Sequence, residues 1–247
     1  MKFKTLYFPV LKSTNQYMND LLNAGKEIDG LCVRAGFQEA GKGQADNSWH
    51  SKADKNLLIS LGFDFSFLQA AQQFSITQMA SLAVLEVLKT FLPQAELSVK
   101  WPNDIFVGDK KIGGMLISNT VNGQQLERTI IGLGINLNQT TFPETITRAV
   151  SLGQLTGELV NLHDFEQKLL DSLLTQAVFL KTETGRKILE KNYLSHLYAF
   201  DKFRLYGVNG QKKRLKITGI GDFGYLLMED KQGQAFSFDM KEIVFLF

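Results

Sequence analysis

Apolar and polar residues alternate along this chain in blocks that read as separate elements. Phe3–Val10 has the pattern of a strand. In the next run, KSTNQYMNDLL, Ser13 or Thr14 can cap a helix. Tyr17, Met18, Leu21 and Leu22 would form its inner face, and Gly25 would end it. Leu31–Phe37 and Asn56–Phe63 read as strands. Between them, Gln38–Lys55 is polar, rich in Gly and Asn, and too long for a simple turn. Ser75–Leu92 has helical periodicity, with Met79, Leu82, Ala83, Leu85, Val87 and Leu88 inward and Pro93 as the stop.

Strands dominate the next block: Leu97–Trp101, Ile105–Val107, and a hairpin of Gly113–Thr120 with Gln125–Leu137 turning at Asn122-Gly123. Residues 151–195 return to helical spacing, with Leu162, Phe165, Leu169, Leu170, Leu173 and Leu174 in step. Strands followed by helices predict an α+β fold rather than alternating βαβ units. From about Phe200 the apolar runs shorten and are broken at Asn209-Gly210, Gly221-Asp222 and Gln232-Gly233. Four or five strands in so short a stretch predict a small SH3-like barrel, and the chain divides into 1–197 and 198–247.

Composition narrows the function classes. A net charge of +2 argues against nucleic acid or an anionic membrane as the main partner. The single Cys32 excludes an internal disulfide and predicts a reducing, cytoplasmic setting. No signal peptide and no membrane-spanning run is read. His50, His163 and His196 are far apart, so no metal site is expected.

GFQEAGK, beginning at Gly36, has the G-x-x-x-x-G-K spacing of a P-loop, but Gly43 stands where Ser or Thr should hold Mg²⁺. The residues after Gly43 make a poor helix start and lead to a strand, whereas a P-loop leads into a helix. This is a different loop. Gly41 and Gly43 would allow positive φ and close approach to an anion, with Lys42 as a mobile charge. Four other stretches are polar or Gly-rich where they meet regular elements: KSTNQ, VKWPND (Val99–Asp104), KIGGMLI (Lys111–Ile117) and GLGINLN (Gly132–Asn138). Each alone also reads as a capped helix, a turn, a bulge or a strand end.

In order, STN, QEAGKGQADNSW, KWPND, KIGGMLI and GLGINLN resemble the biotin protein ligases, from about Lys12 to Asn138. The resemblance implies a mixed sheet flanked by helices, of the class II aminoacyl-tRNA synthetase kind, with residues 1–197 as the ligase domain and 198–247 as the SH3-like barrel. It implies activation of biotin by ATP to biotinyl-5′-AMP, then transfer to a lysine of a biotin carboxyl carrier protein. Mg²⁺ would accompany the ATP. Carried onto this sequence, the biotin contacts fall on Ser13, Thr14, Asn15, Gln38, Lys42, Gly43, Gln44 and Lys111. The ATP contacts fall on Lys42, Gln44, Asn47, Trp49, Lys100, Asn103, Lys111 and Asn136. Lys111, Asp104 and Lys42 would be catalytic, with Asp104 orienting or deprotonating the acceptor lysine. A homodimer is an assembly the resemblance allows.

Two departures stand out. Many members of that family carry GRGRxGRxW, whereas this loop is GKGQADNSW, with Lys42, Gln44 and Asn47 in place of arginines and Asp46 in place of glycine. Lysine lacks the bidentate fork of arginine, so a leakier hold on the adenylate is expected. Only twelve residues precede Ser13, which leaves no room for the helix-turn-helix domain of repressor members, and no sequence-specific DNA binding is expected. The alternatives are a lipoate or octanoate ligase or transferase of related fold, and a non-catalytic biotin-binding protein.

Overall fold

The computed structural model describes residues 2–44 and 48–246. Its centre is a seven-stranded sheet made of β1 (Lys4–Leu11), β2 (Leu31–Gln38), β3 (Leu57–Phe63), β4 (Leu97–Lys100), β5 (Asp104–Val107), β6 (Lys110–Asn122) and β7 (Gln125–Ile135), ordered β1-β2-β3-β7-β6-β5-β4. β1 and β2 are parallel, and the other pairs are antiparallel, so the sheet is mixed. β6 and β7 are the expected hairpin, closing at Asn122↔Gln125 with Gly123 at φ +63°.

Side-chain alternation assigns the two faces. One face is covered by α1 (Thr14–Asn23), whose Met18 packs on Val33 and Ile130. Ser13 caps α1, its hydroxyl accepting from the Gln16 amide at 3.4 Å. On the opposite face, Leu57, Ile59, Leu61 and Phe63 of β3 and Ile131, Leu133 and Ile135 of β7 enter the main core. There they meet α2 (Phe74–Phe91) and, after the short α3 (Leu152–Thr156), α4 (Leu162–Ala177) and α5 (Glu183–Ser195). The mixed sheet with helices on both faces is the α+β arrangement expected, with α1 and α2 set among the strands rather than after them.

The C-terminal part folds as a five-stranded antiparallel sheet of β8 (Phe203–Val208), β9 (Gln211–Ile220), β10 (Leu226–Glu229), β11 (Ala235–Phe238) and β12 (Ile243–Phe245), ordered β11-β10-β9-β8-β12. β11 and β12 lie at its opposite edges, so this sheet is open. Asn209 and Gly210, both at positive φ, turn β8 into β9. Tyr206, Val208, Leu215, Ile217 and Leu226 belong to the same buried cluster as α2 and β5, so the apolar core runs on across residue 198. No described helix is long and apolar enough to cross a membrane.

Candidate active site

A groove of about 350 Å³ runs over the α1 side of the sheet. Its floor is β7, where Gly132 and Gly134 replace side chains with space. A Cβ on Gly132 would come within 2.2 Å of Asn15, and one on Gly134 within 2.6 Å of the Trp49 indole. The two glycines therefore let α1 and the long loop close down on the strand.

One end of the groove is neutral. The Thr14 amide donates to Gln38 Oε1 at 2.7 Å, and the Thr14 hydroxyl lies 3.0 Å from the same oxygen. Ser60, fully buried in β3, places its Oγ 2.7 Å from Thr14 Oγ1 and in close contact with Asn15 Oδ1. Asn15 Nδ2 donates to the Leu116 carbonyl at 3.2 Å, which fixes the direction of its amide. Three oxygen–oxygen contacts thus join Gln38, Thr14, Ser60 and Asn15, and only the two hydroxyls bring hydrogens. The cluster is rich in acceptor oxygens and poor in hydrogens, so it suits a ligand that brings N–H donors.

The other end is charged. Lys111 Nζ sits 2.6 Å from Asp104 Oδ1 and 5.6 Å from the centre of the Trp49 ring. Lys100 Nζ lies 3.8 Å from Asp104 Oδ2 and 5.0 Å from the Phe245 ring. Burial pulls the Lys100 ammonium below the usual lysine range; Asp104 opposes that and Lys111 adds to it. Gly114, opposite Asp104 in the ladder, leaves room for both groups, since a Cβ there would meet Asp104 and Lys111 at 3.3 Å. The trio is fixed from behind. Asn103 exchanges hydrogen bonds with Met115, its side chain donating to the Met115 carbonyl and its own carbonyl accepting from the Met115 amide. Trp101 Nε1 donates to the Gly224 carbonyl at 3.0 Å, tying the KWPND corner to the C-terminal sheet. The Lys111 amide donates to the Arg148 carbonyl at 2.7 Å, so a strap from 148 to 150 runs beside β6.

The residues singled out in the sequence mostly converge. Ser13, Thr14, Asn15, Gln38, Lys42, Gly43, Gln44, Trp49, Lys100, Asn103, Asp104 and Lys111 all line the groove. Asn136 stands behind it: it is buried, and its side chain donates to the Val150 carbonyl at 3.2 Å, holding the strap in place. Asp46 and Asn47 lie outside the described residues. Gly41 does not take up positive φ; it is needed for space, because a Cβ would come within 2.8 Å of the Trp49 carbonyl. Trp49 Nε1 is buried with no hydrogen-bond partner among the described residues, the kind of orphan donor that marks ligand sites. Sequence reasoning missed Ser60, although a lone hydroxyl in the apolar run LLISLGF was a visible signal. It also missed Met240, Ile243, Val244 and Phe245, which bring the C-terminal sheet into the groove wall.

The model of the biotin/lipoate A/B protein ligase family matches residues 7–136, a span that contains both ends of the groove. The chain belongs to that family. It is 31% identical over 234 residues to the bifunctional ligase/repressor BirA of Bacillus subtilis, covering 92% of this chain and 70% of that protein. It is 29% identical to the biotin–[acetyl-CoA-carboxylase] ligase of Mycobacterium tuberculosis, over 54% of this chain and 48% of the relative. The fold matches that of the biotin protein ligase from Aquifex aeolicus, solved in complex with biotin and ATP, with a TM-score of 0.78, 22% identity, and coverage of 98% of this chain and 97% of that one. Two of these, from Mycobacterium tuberculosis and Aquifex aeolicus, are named as biotin ligases.

Proposed function

We propose that this protein activates biotin with ATP and transfers it to a lysine of a biotin carboxyl carrier protein. The observation that supports it best is one groove with an acceptor-rich neutral end and a lysine–aspartate charged end. A ureido ring brings N–H donors to the first. The heads of lipoate and octanoate bring none, so the neutral end favours biotin over those rivals.

On this reading Ser13, Thr14, Asn15, Gln38, Lys42, Gly43, Gln44 and Lys111 hold biotin, with Ser60 fixing the hydroxyls. Lys42, Gln44, Trp49, Lys100, Asn103 and Lys111 face the nucleotide, and Asn136 supports that side from behind. The biotin carboxylate attacks the α-phosphorus of ATP; the new C–O–P linkage forms as the α–β bridging bond breaks and pyrophosphate leaves. Two anions must meet, and Lys111 supplies a cation that can turn from Asp104 toward them. The acceptor lysine, cationic in water with a pKa of about 10.4, gives up one proton before it attacks. Its nitrogen bonds to the acyl carbon, the acyl–phosphate C–O bond breaks, AMP leaves with the electron pair, and the nitrogen loses its second proton. Once Lys111 turns away, Asp104 is left as an acceptor for the incoming ammonium.

No group of three His, Cys, Asp or Glu side chains suited to a metal occurs among the described residues. On this reading Mg²⁺ would be carried by phosphate oxygens, and no step is assigned to it. The C-terminal sheet, open between β11 and β12, is on this reading an incompletely closed SH3-like barrel. Residues 1–197 carry the chemistry and 198–247 complete the groove wall.

ATP–pyrophosphate exchange with biotin, lipoate, octanoate or no acid tests the proposal. Exchange with biotin alone is expected. Exchange driven by lipoate or octanoate would move the protein to the rival activity, and none with any acid would make it a binder.

A further inference from the structure

A second cavity, of about 220 Å³, adjoins the groove and shares Gln44, Trp101, Pro102, Asn103, Met115 and Met240 with it. Asn103 precedes Asp104, so the shared wall stands at the charged end. Thr14, Asn15 and Gln38 of the neutral end line the groove and not this cavity. The far walls come from three places: Phe74 and Thr77 of α2, Ile117 and Asn119 of β6, and Phe223 and Asp239 in the β9–β10 and β11–β12 turns of the C-terminal sheet.

Size, lining and charge together fit one long cationic side chain. The cavity is smaller than the roughly 300–1,000 Å³ of small-molecule sites. Phe74, Phe223, Ile117 and the two methionines suit an aliphatic stem, and aromatic faces tolerate an ammonium. Asp239 is the only charged side chain among the described residues that line it. With a carboxylate and no cation, the cavity disfavours phosphate.

The turn at its mouth is built with strain. Phe223 stands at φ +57°, ψ +2° and is 54% exposed, an uncommon state for a large apolar residue. It is held there by its neighbour. Gly224, at φ +92°, accepts the Trp101 indole hydrogen bond and lies so close to Phe74 that a Cβ would come within 2.3 Å of the ring. The turn is therefore locked to both the KWPND corner and α2, and it presents Phe223 outward beside the cavity.

We propose that this second cavity is the port through which the carrier's acceptor lysine reaches the groove, with Phe223 and Asp239 meeting the carrier at its mouth. The inference rests on the ligase reading. It separates the two half-reactions in space: acid and nucleotide meet in the groove, and the amine arrives from the side of β6 and the C-terminal sheet.

Thr77→Trp would fill the port, and Asp239→Asn would remove the charge at its exposed mouth while keeping an oxygen for the Met240 amide. For each, three rates are compared with the unsubstituted enzyme: ATP–pyrophosphate exchange with biotin, biotinylation of a purified unbiotinylated carrier domain, and capture of biotinyl-AMP by hydroxylamine. Exchange and hydroxylamine capture are expected to hold, while carrier biotinylation falls about tenfold or more in both variants. Unchanged carrier biotinylation in both variants would overturn the port. So would loss of exchange in Thr77→Trp with carrier transfer from preformed biotinyl-AMP intact, which would make the cavity the pyrophosphate exit. Failure of the ligase reading shows separately, as no biotin-dependent exchange in the unsubstituted enzyme, and takes this proposal with it.

Discussion

The two ends of the groove are built by opposite means. At the neutral end each polar group sits on, or at the end of, a regular element: Ser60 within β3, Thr14 and Asn15 in the first turn of α1, Gln38 at the end of β2. They are tied to one another and largely buried, so their positions are set before any ligand arrives. At the charged end Lys100, Asp104 and Lys111 project from the ends of short strands and a strand start, and their side chains keep 21–33% exposure. They are held mainly by mutual attraction, which an incoming anion can redirect. Recognition of a neutral head requires fixed geometry, and charge transfer requires cations that can change partner.

The largest effect should come from the charged end. Lys111→Ala leaves Asp104 with the more distant Lys100 as its cation among the described residues and is expected to slow exchange at saturating biotin by about 10²–10³-fold. A rate that holds within the error of the assay would remove Lys111 from the chemistry. Lys111→Arg should recover only part, because the planar fork cannot occupy the same point beside Asp104.

The neutral end should respond in binding rather than rate. Ser60→Ala removes one hydroxyl from the shared network and should raise the KM for biotin about tenfold, equivalent to about 1.4 kcal/mol, with little change in kcat. Discrimination against octanoate should fall in parallel, since the cluster then has one oxygen fewer to offer a ligand N–H. Equal losses in kcat and KM for every acid would mean that Ser60 only supports the fold.

The smallest effect concerns stability, at buried groups that do not line the groove. Burial pushes the Cys32 thiol up to about 12 from a usual value near 9, with Glu166 adding to the effect. Burial also pushes the Tyr206 phenol up to about 12 from near 10. Both folded-state values are raised, so the neutral forms are favoured in the fold. Their contribution is complete below pH 9 and is lost as pH climbs through 9–12, where the unfolded chain ionises first. Tyr206 also buries its hydroxyl without a hydrogen-bond partner among the described residues. Tyr206→Phe should therefore raise stability by about 1 kcal/mol at neutral pH and flatten the alkaline decline. Urea midpoints measured from pH 7 to about 11 would check this; a steeper decline in the variant would contradict it.

Much of the molecule was legible one segment at a time. The apolar run Leu57–Phe63, the Asn122-Gly123 turn and the cap at Ser13 are local signals, and the strands and helix they predict lie within a residue or a few of those observed. The charged end was legible because KWPND turns β4 into β5 and KIGG opens the neighbouring antiparallel β6. Asn136 was harder to place. Its spacing puts it beside the other motifs, and only packing reveals that its side chain turns away to the strap at Val150. The closure of the C-terminal sheet was also beyond local pattern, because it depends on whether β11 meets β12 and not on the turns between neighbours.

By itself, the sequence determined the order of elements, the loop chemistry and the set of polar residues that could serve a site, because periodicity, capping and turn preference act over a few residues. Tertiary structure decided which of them meet. It brought Ser60 of β3 to Thr14 of α1, 46 positions away, and joined both to Asn15 and Gln38 in one polar cluster. It also used Gly132 and Gly134 as floor for Asn15 and Trp49, and set Phe245 of the last strand beside Lys100. These contacts join distant segments, and their geometry follows from how the sheet faces pack, which no short window of sequence contains.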